Sequence, residues 1–80
     1  MKTKTHVIEF RKNANLTLDD GEARTACQIE FGTQVKAQVR CYVTITEDSF
    51  IEVADILLND GSGTMRGVPC SVFKFLDAVD

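Results

Sequence analysis

From Val35 to Ile45 apolar and polar residues alternate without a break. Val35, Ala37, Val39, Cys41, Val43 and Ile45 occupy the odd positions, and Lys36, Gln38, Arg40, Tyr42 and Thr44 the even ones. Successive side chains of a strand point to opposite faces, so this run predicts a long strand with one face on a core and the other in water. Arg24 to Phe31 alternates in the same way, with Thr25, Cys27, Ile29 and Phe31 inward. Directly opposed residues of an antiparallel pair share a face. Phe31 and Val35 therefore predict a hairpin closed by Gly32-Thr33-Gln34, because a one-residue slip would set an inward residue against an outward one. Upstream, Leu16 and Leu18 alternate with Asn15 and Thr17 ahead of the turn signal Asp19-Asp20-Gly21-Glu22. Pairing Leu18 with Ala23 gives a four-residue hairpin loop. His6 to Arg11 predicts a further strand, with Ile8 and Phe10 on one face and Val7, Glu9 and Arg11 on the other. Lys12-Asn13-Ala14-Asn15 is either a turn or a bend within one long strand, since even-numbered apolar positions run on to Ala14.

The period changes after Thr46. Thr46 suits a helix N-cap, and Glu47 and Asp48 would place negative charge in the first turn. Phe50, Val53, Ala54 and Leu57 recur at i, i+3, i+4 and i+7, and Gly61 suits the left-handed position after a helix end. The expectation is a helix over 47–59. Over 69–79 the pattern supports a helix, with Pro69 in its first turn and Val72, Phe73, Leu76 and Val79 on one face. A strand from Cys70 to Leu76 competes with it; the helix is preferred. The predicted fold is α+β: a three- to four-stranded antiparallel sheet, one face covered by the helix 47–59 and a C-terminal helix or strand (69–79).

Eighty residues make one domain with a thin core. An apolar share of 44% and a charged share of 26% are those of an ordinary globular protein. No apolar run approaches the length of a membrane span, and the polar start Met1-Lys2-Thr3-Lys4 has no signal-peptide character, so a cytoplasmic protein is expected. Cys27, Cys41 and Cys70 are too few and too irregularly spaced for a zinc site or a closed disulfide framework. They read as small buried hydrophobes, with Cys70, at a loop edge, the candidate for an intermolecular disulfide. The glycine-rich, nucleophile-elbow and metalloprotease motifs are missing. His6 has no cysteine near it in sequence, and Asp19-Asp20 with Glu22 lacks the spacing of a calcium loop. No catalytic residue, metal or cofactor is expected.

Charge makes two surfaces interesting. Residues 1–45 carry seven basic and five acidic side chains, and residues 46–80 two and seven, which together give the net −3. The outward face of the predicted sheet would present Arg24, Gln28, Lys36, Gln38, Arg40 and Tyr42, joined by Arg11 if the first strand is part of it. Long polar side chains around an aromatic ring are the chemistry of a recognition surface. The predicted helix would carry Glu47, Asp48, Glu52 and Asp55 on an acidic face suited to a basic groove. In size, acidity and expected architecture, though in no motif, the chain resembles the small phage-encoded anti-CRISPR proteins. That resemblance implies a non-enzymatic inhibitor that occludes a nucleic-acid-binding effector complex, with a protein as partner. Two further readings stand beside it. One is a nucleic-acid-binding accessory domain using the basic face, weakened by the scarcity of aromatic rings. The other is a homodimerisation module in which Ile51, Ile56 and Leu58 pair across a two-fold axis.

Overall fold

The computed structural model describes residues 4–76. Its strands are β1 (Thr5–Phe10), β2 (Ala14–Asp19), β3 (Arg24–Ile29), β4 (Gln34–Ile45), β5 (Phe50–Leu58), β6 (Thr64–Pro69) and β7 (Phe73–Phe75), with one 3₁₀ turn, Cys70–Val72, between the last two. They form a single antiparallel sheet in the order β3-β2-β6-β5-β4-β1-β7. The sheet curls into a half-barrel, and its concave face encloses the core. Ile8, Phe10, Ala37, Ala54, Ile56, Met65, Val68, Val72 and Phe73 form that core, with Leu16, Leu18, Ile29, Val35, Val39 and Leu58 packed around it. Among the described residues no helix is long and apolar enough to cross a membrane.

The α+β expectation is overturned: among the described residues no helix covers the sheet, because the sheet covers itself. The helix predicted over 47–59 is a turn followed by β5. Two signals misled. Val53 lies on the convex face yet is 4% exposed, opposite Tyr42 on β4 and Pro69 on β6, while Ala54 and Ile56 face the core. Where a central strand is buried on both faces, as at Val53 and Ala54, its alternation is interrupted, and with the exposed Phe50 and Leu57 its apolar positions then fit a helical period by accident. The supposed cap is real chemistry in another setting. Thr46 Oγ1 accepts the Ser49 amide at 3.1 Å, the bond an N-cap would make, but it closes the β4–β5 hairpin together with the Thr46 amide donating to the Ser49 carbonyl at 2.8 Å. The preferred C-terminal helix is also overturned. Val68 and Pro69 end β6, Pro69 leads into a three-residue 3₁₀ turn, and the chain returns as β7 beside β1. Residues 77–79 of that prediction lie outside the described residues.

The first half is a single long hairpin. Leu18 faces Thr25 and Asp19 faces Arg24, leaving residues 20–23 as a four-residue loop. The loop length is as expected, and the register is displaced by two residues, which preserves every inward position. The expected hairpin through Gly32-Thr33-Gln34 does not form, since β3 and β4 do not pair. Instead the ladder that sets Asp19 against Arg24 and Ala14 against Ile29 resumes in the same register with Glu9 against Gln34 and Thr5 against Gln38. Both strands break once, at one corner, so the bend read as an alternative at Lys12–Asn15 is present. At the corner the Phe10 amide donates to the Thr33 carbonyl at 2.9 Å, and Asn13 Oδ1 accepts the Phe31 amide at 2.7 Å. Phe31, expected inward, is turned out by the bend and is 72% exposed.

Candidate functional site

Strand β4 has twelve residues and β5 nine, while the others have six or fewer. The β4–β5 hairpin consequently outruns the body of the half-barrel and projects as an arm. On its concave side Ile45 faces Phe50 and Val43 faces Glu52. These positions carry the inward parity of the core, but none of the other described strands pairs beside them. Ile45 is 75%, Phe50 73% and Val43 59% exposed. Thr44 and Ile51 face each other on the other side, and Ile51 is partly exposed. Glu47 and Asp48 stand in the turn at the tip. The arm is thus an apolar finger edged by three carboxylates.

The residues expected on an acidic helix face are redistributed. Glu47, Asp48 and Glu52 stay together on the arm. Asp55 is on the convex face of β5, opposite Arg40. Of the trio expected to form a dimer face, Ile56 and Leu58 belong to the core and its margin and only Ile51 is presented to solvent.

The basic-face residues keep a common side. Arg24, Gln28, Lys36, Gln38, Arg40 and Tyr42 all fall on the convex face, at positions opposite Asp19, Asn15, Val7, Leu57, Asp55 and Val53. Arg11 does not join them. It sits at the corner after β1, with its amide donating to the Val72 carbonyl at 2.8 Å. Sequence reasoning missed Arg66 and Asp19, which organise this face. Arg66 Nε lies 3.2 Å from Asp19 Oδ2, and its Nη1 is 3.6 Å from Asp55 Oδ2. Asp55 Oδ1 also accepts the Tyr42 hydroxyl and the Gly67 amide, each at 3.0 Å. That hydrogen bond to Asp55, with desolvation and the carboxylate's charge behind it, raises the Tyr42 pKa. The Gly21 amide and then Arg66 hold the Asp19 carboxyl below its ordinary value.

Arg66 sits beside an irregularity in β6. Between the pairs Ile56–Met65 and Ala54–Val68, Arg66 and Gly67 of β6 stand against the single residue Asp55 of β5, so the strand carries a bulge. Gly67 adopts a φ of +65° at that bulge; the extra residue returns Val68 to the core face, while Arg66, next to buried Met65, keeps the convex side. No sequence period reveals a bulge; the glycine within an apolar strand pattern is the one signal that points to it. At the far side of the sheet Lys74 Nζ approaches Glu9 Oε2 at 3.4 Å, and Gln34 donates to Glu9 Oε1 at 3.0 Å. The convex face is therefore a lattice of mixed charge, with Arg66 and Lys74 committed to carboxylates.

The thiols are placed differently from expectation. Cys27 is half-buried, Cys70 is half-buried, and Cys41, expected in the core, is exposed at the root of the arm. Among the described residues no cluster of His, Cys, Asp and Glu has the arrangement of a metal site. Comparison with protein-family models, with curated sequences and with solved structures gives no match.

Proposed function

We propose that the protein is a non-enzymatic binding domain of the cytoplasm that inserts its β4–β5 arm into a protein partner, and that it acts by occluding the nucleic-acid-binding groove of an effector complex. The observation that carries this reading is the exposed apolar side of the arm, Val43, Ile45 and Phe50. Interface cores are apolar and aromatic with a polar rim, and a few such side chains dominate binding energy. Glu47, Asp48 and Glu52 supply the rim, and their charge matches an apolar cleft edged by lysine and arginine, the lining of a groove made for phosphates. Direct nucleic-acid binding has less support. On the convex face Glu9, Asp19 and Asp55 interrupt the basic residues, and a duplex or single strand would meet repulsion at each of them.

The test uses tagged wild type and an Ile45→Ser/Phe50→Ser variant as baits in a bacterial lysate. The expected result is a partner captured by the wild type and lost by the variant. Adding the wild type to that purified partner should then abolish the partner's own gel shift with nucleic acid. Equal capture by both baits, or a partner whose nucleic-acid binding is untouched, removes the proposal. Light scattering of the free protein gives a third outcome: a dimer dispersed by the same substitutions would mean that the arm serves self-association.

A further inference from the structure

Beyond Gln38, strand β4 has a neighbour on one side only. Strand β1 pairs with it from Thr5 opposite Gln38 to Glu9 opposite Gln34, while β5 accompanies it as far as Ile45. Among the described residues nothing pairs with the other edge of β4 from Cys41 to Ile45. Successive residues of an antiparallel strand turn their N–H and C=O groups to alternate sides. The Asn59 amide donates to the Lys36 carbonyl and the Thr46 amide to the Ser49 carbonyl, so even-numbered residues of β4 face β5. The Phe10 amide donates to the Thr33 carbonyl, so odd-numbered residues face the side of β1. The register with β5 runs without a shift from Ala37 to Ile45. The N–H and C=O groups of Cys41, Val43 and Ile45 therefore point out of an open sheet edge. Such edges are commonly blocked by proline, a bulge or charged residues. The stretch Cys41-Tyr42-Val43-Thr44-Ile45 has none of these.

We propose that this edge pairs antiparallel with its own counterpart on a second copy of the chain, joining two β4–β5 arms into one continuous sheet about a two-fold axis at Val43. The parity of β4 suits it. Odd residues meet odd residues, so Val43 faces Val43 and Cys41 faces Ile45 of the second copy, an apolar row against an apolar row. On the convex side Tyr42 meets Thr44 of the second copy and Arg40 meets its Thr46, so no like charges are opposed. Charge favours this register and this occupant. The tip of the second copy, Glu47-Asp48, comes beside Arg40 and beside Lys4, the residue before the first pair of β1. Acids of each tip thus meet bases at the root of the other arm, and the contact is repeated by the symmetry of an isologous interface. The inference goes beyond the binding reading, because the pairing uses backbone groups and leaves Val43, Ile45 and Phe50 presented side by side on the concave side of the joined sheet.

Val43→Pro removes an amide that belongs to the open edge, and proline is tolerated where the N–H of an edge strand faces solvent, so the ladder within the arm is kept. Light scattering of the full-length protein over a concentration series should show the wild type passing to a dimer and Val43→Pro staying monomeric with an unchanged thermal melt. Ile45→Ser/Phe50→Ser keeps the backbone edge and should still dimerise, which separates this pairing from self-association through the apolar side. Ile45→Cys in a Cys27→Ser/Cys70→Ser background tests the register without proline. Residues of a hydrogen-bonded antiparallel pair have Cα atoms about 5.5 Å apart, inside the span of a disulfide, whereas positions 41 and 45 of one strand are about 13 Å apart. Mild oxidation should therefore give a covalent dimer whose peptide map joins Cys41 of one chain to position 45 of the other. A wild type monomeric throughout the series, a Val43→Pro variant that dimerises as readily, or cross-links only between like positions overturns the proposal. A monomer that still captures its partner overturns this inference alone. A dimer whose Ile45→Ser/Phe50→Ser variant captures as the wild type does overturns the binding reading alone.

Discussion

Single backbone positions decide how this chain curls. A Cβ added at Gly67 meets nothing within 4 Å, so alanine there suffers only from the positive φ of +65°. That cost is about 1–2 kcal/mol. At Gly63, with φ +140°, the added Cβ would lie 2.7 Å from the Asp19 carbonyl oxygen and close to the Asp20 backbone. Neither neighbour is a flexible side chain that can withdraw. Gly63→Ala should therefore lower stability by more than Gly67→Ala, and urea unfolding of the two variants measures the difference. If the two cost the same, strands β2 and β6 do not approach as closely as the backbone here indicates. The contact matters beyond its own neighbourhood, because the pairing of Asp19 with Thr64 joins the bent hairpin to the meander of β4, β5 and β6.

At the scale of elements, the arm and the wall of the barrel use the same strands for different ends. Ile56 is fully buried in the core. Ile56→Ala should cost about 2–5 kcal/mol through lost burial and the cavity left behind. Ile45→Ser/Phe50→Ser removes two side chains that are three-quarters exposed, and little beyond their cross-strand contact is lost, about 1 kcal/mol or less. Thermal melts of the two variants should separate them clearly. A large loss in the double variant would mean that the tip supports the fold. Much of this division was legible in the sequence. The inward and outward positions of β1 to β4 follow from alternation alone, and the basic residues of the convex face follow with them. The arm was not read, although its signal was available: a twelve-residue strand has to outrun neighbours of six. Strand β5 was misread because burial on both sides erased its period and because Thr46 and Ser49 make the same bond in a turn that they would make at a helix start. The sheet order was beyond pattern reading. The hairpin assigned to Gly32-Thr33-Gln34 obeys every parity rule, and only the corner, where Phe10 takes the place beside Thr33, excludes it.

For the molecule as a whole, carboxylates hold the chain reversals. Amides of Ala23 and Glu22 lower the Asp20 pKa, the Gly21 amide and Arg66 lower that of Asp19, Ser62 lowers that of Asp60, and Gln34 and Lys74 that of Glu9. Each group is more acidic folded than unfolded. Its contribution is complete above the ordinary values of 3.8 and 4.5 and is lost as pH falls through the lower folded values. Stability should therefore be level from neutral pH to about 5 and decline in acid below about 4. Urea midpoints across that range test the sign, and Asp19→Asn should flatten the slope. A protein that grew more stable on acidification would contradict the hydrogen bonds described for these four groups.

Because Val43, Ile45 and Phe50 stand mostly in solvent, their identities are largely uncoupled from folding. The half-barrel can be treated as a handle. A combinatorial library randomised at those three positions, with Ile56, Met65 and Val68 untouched, should consist largely of folded members. Selection from it would yield binders to chosen targets without redesign of the scaffold.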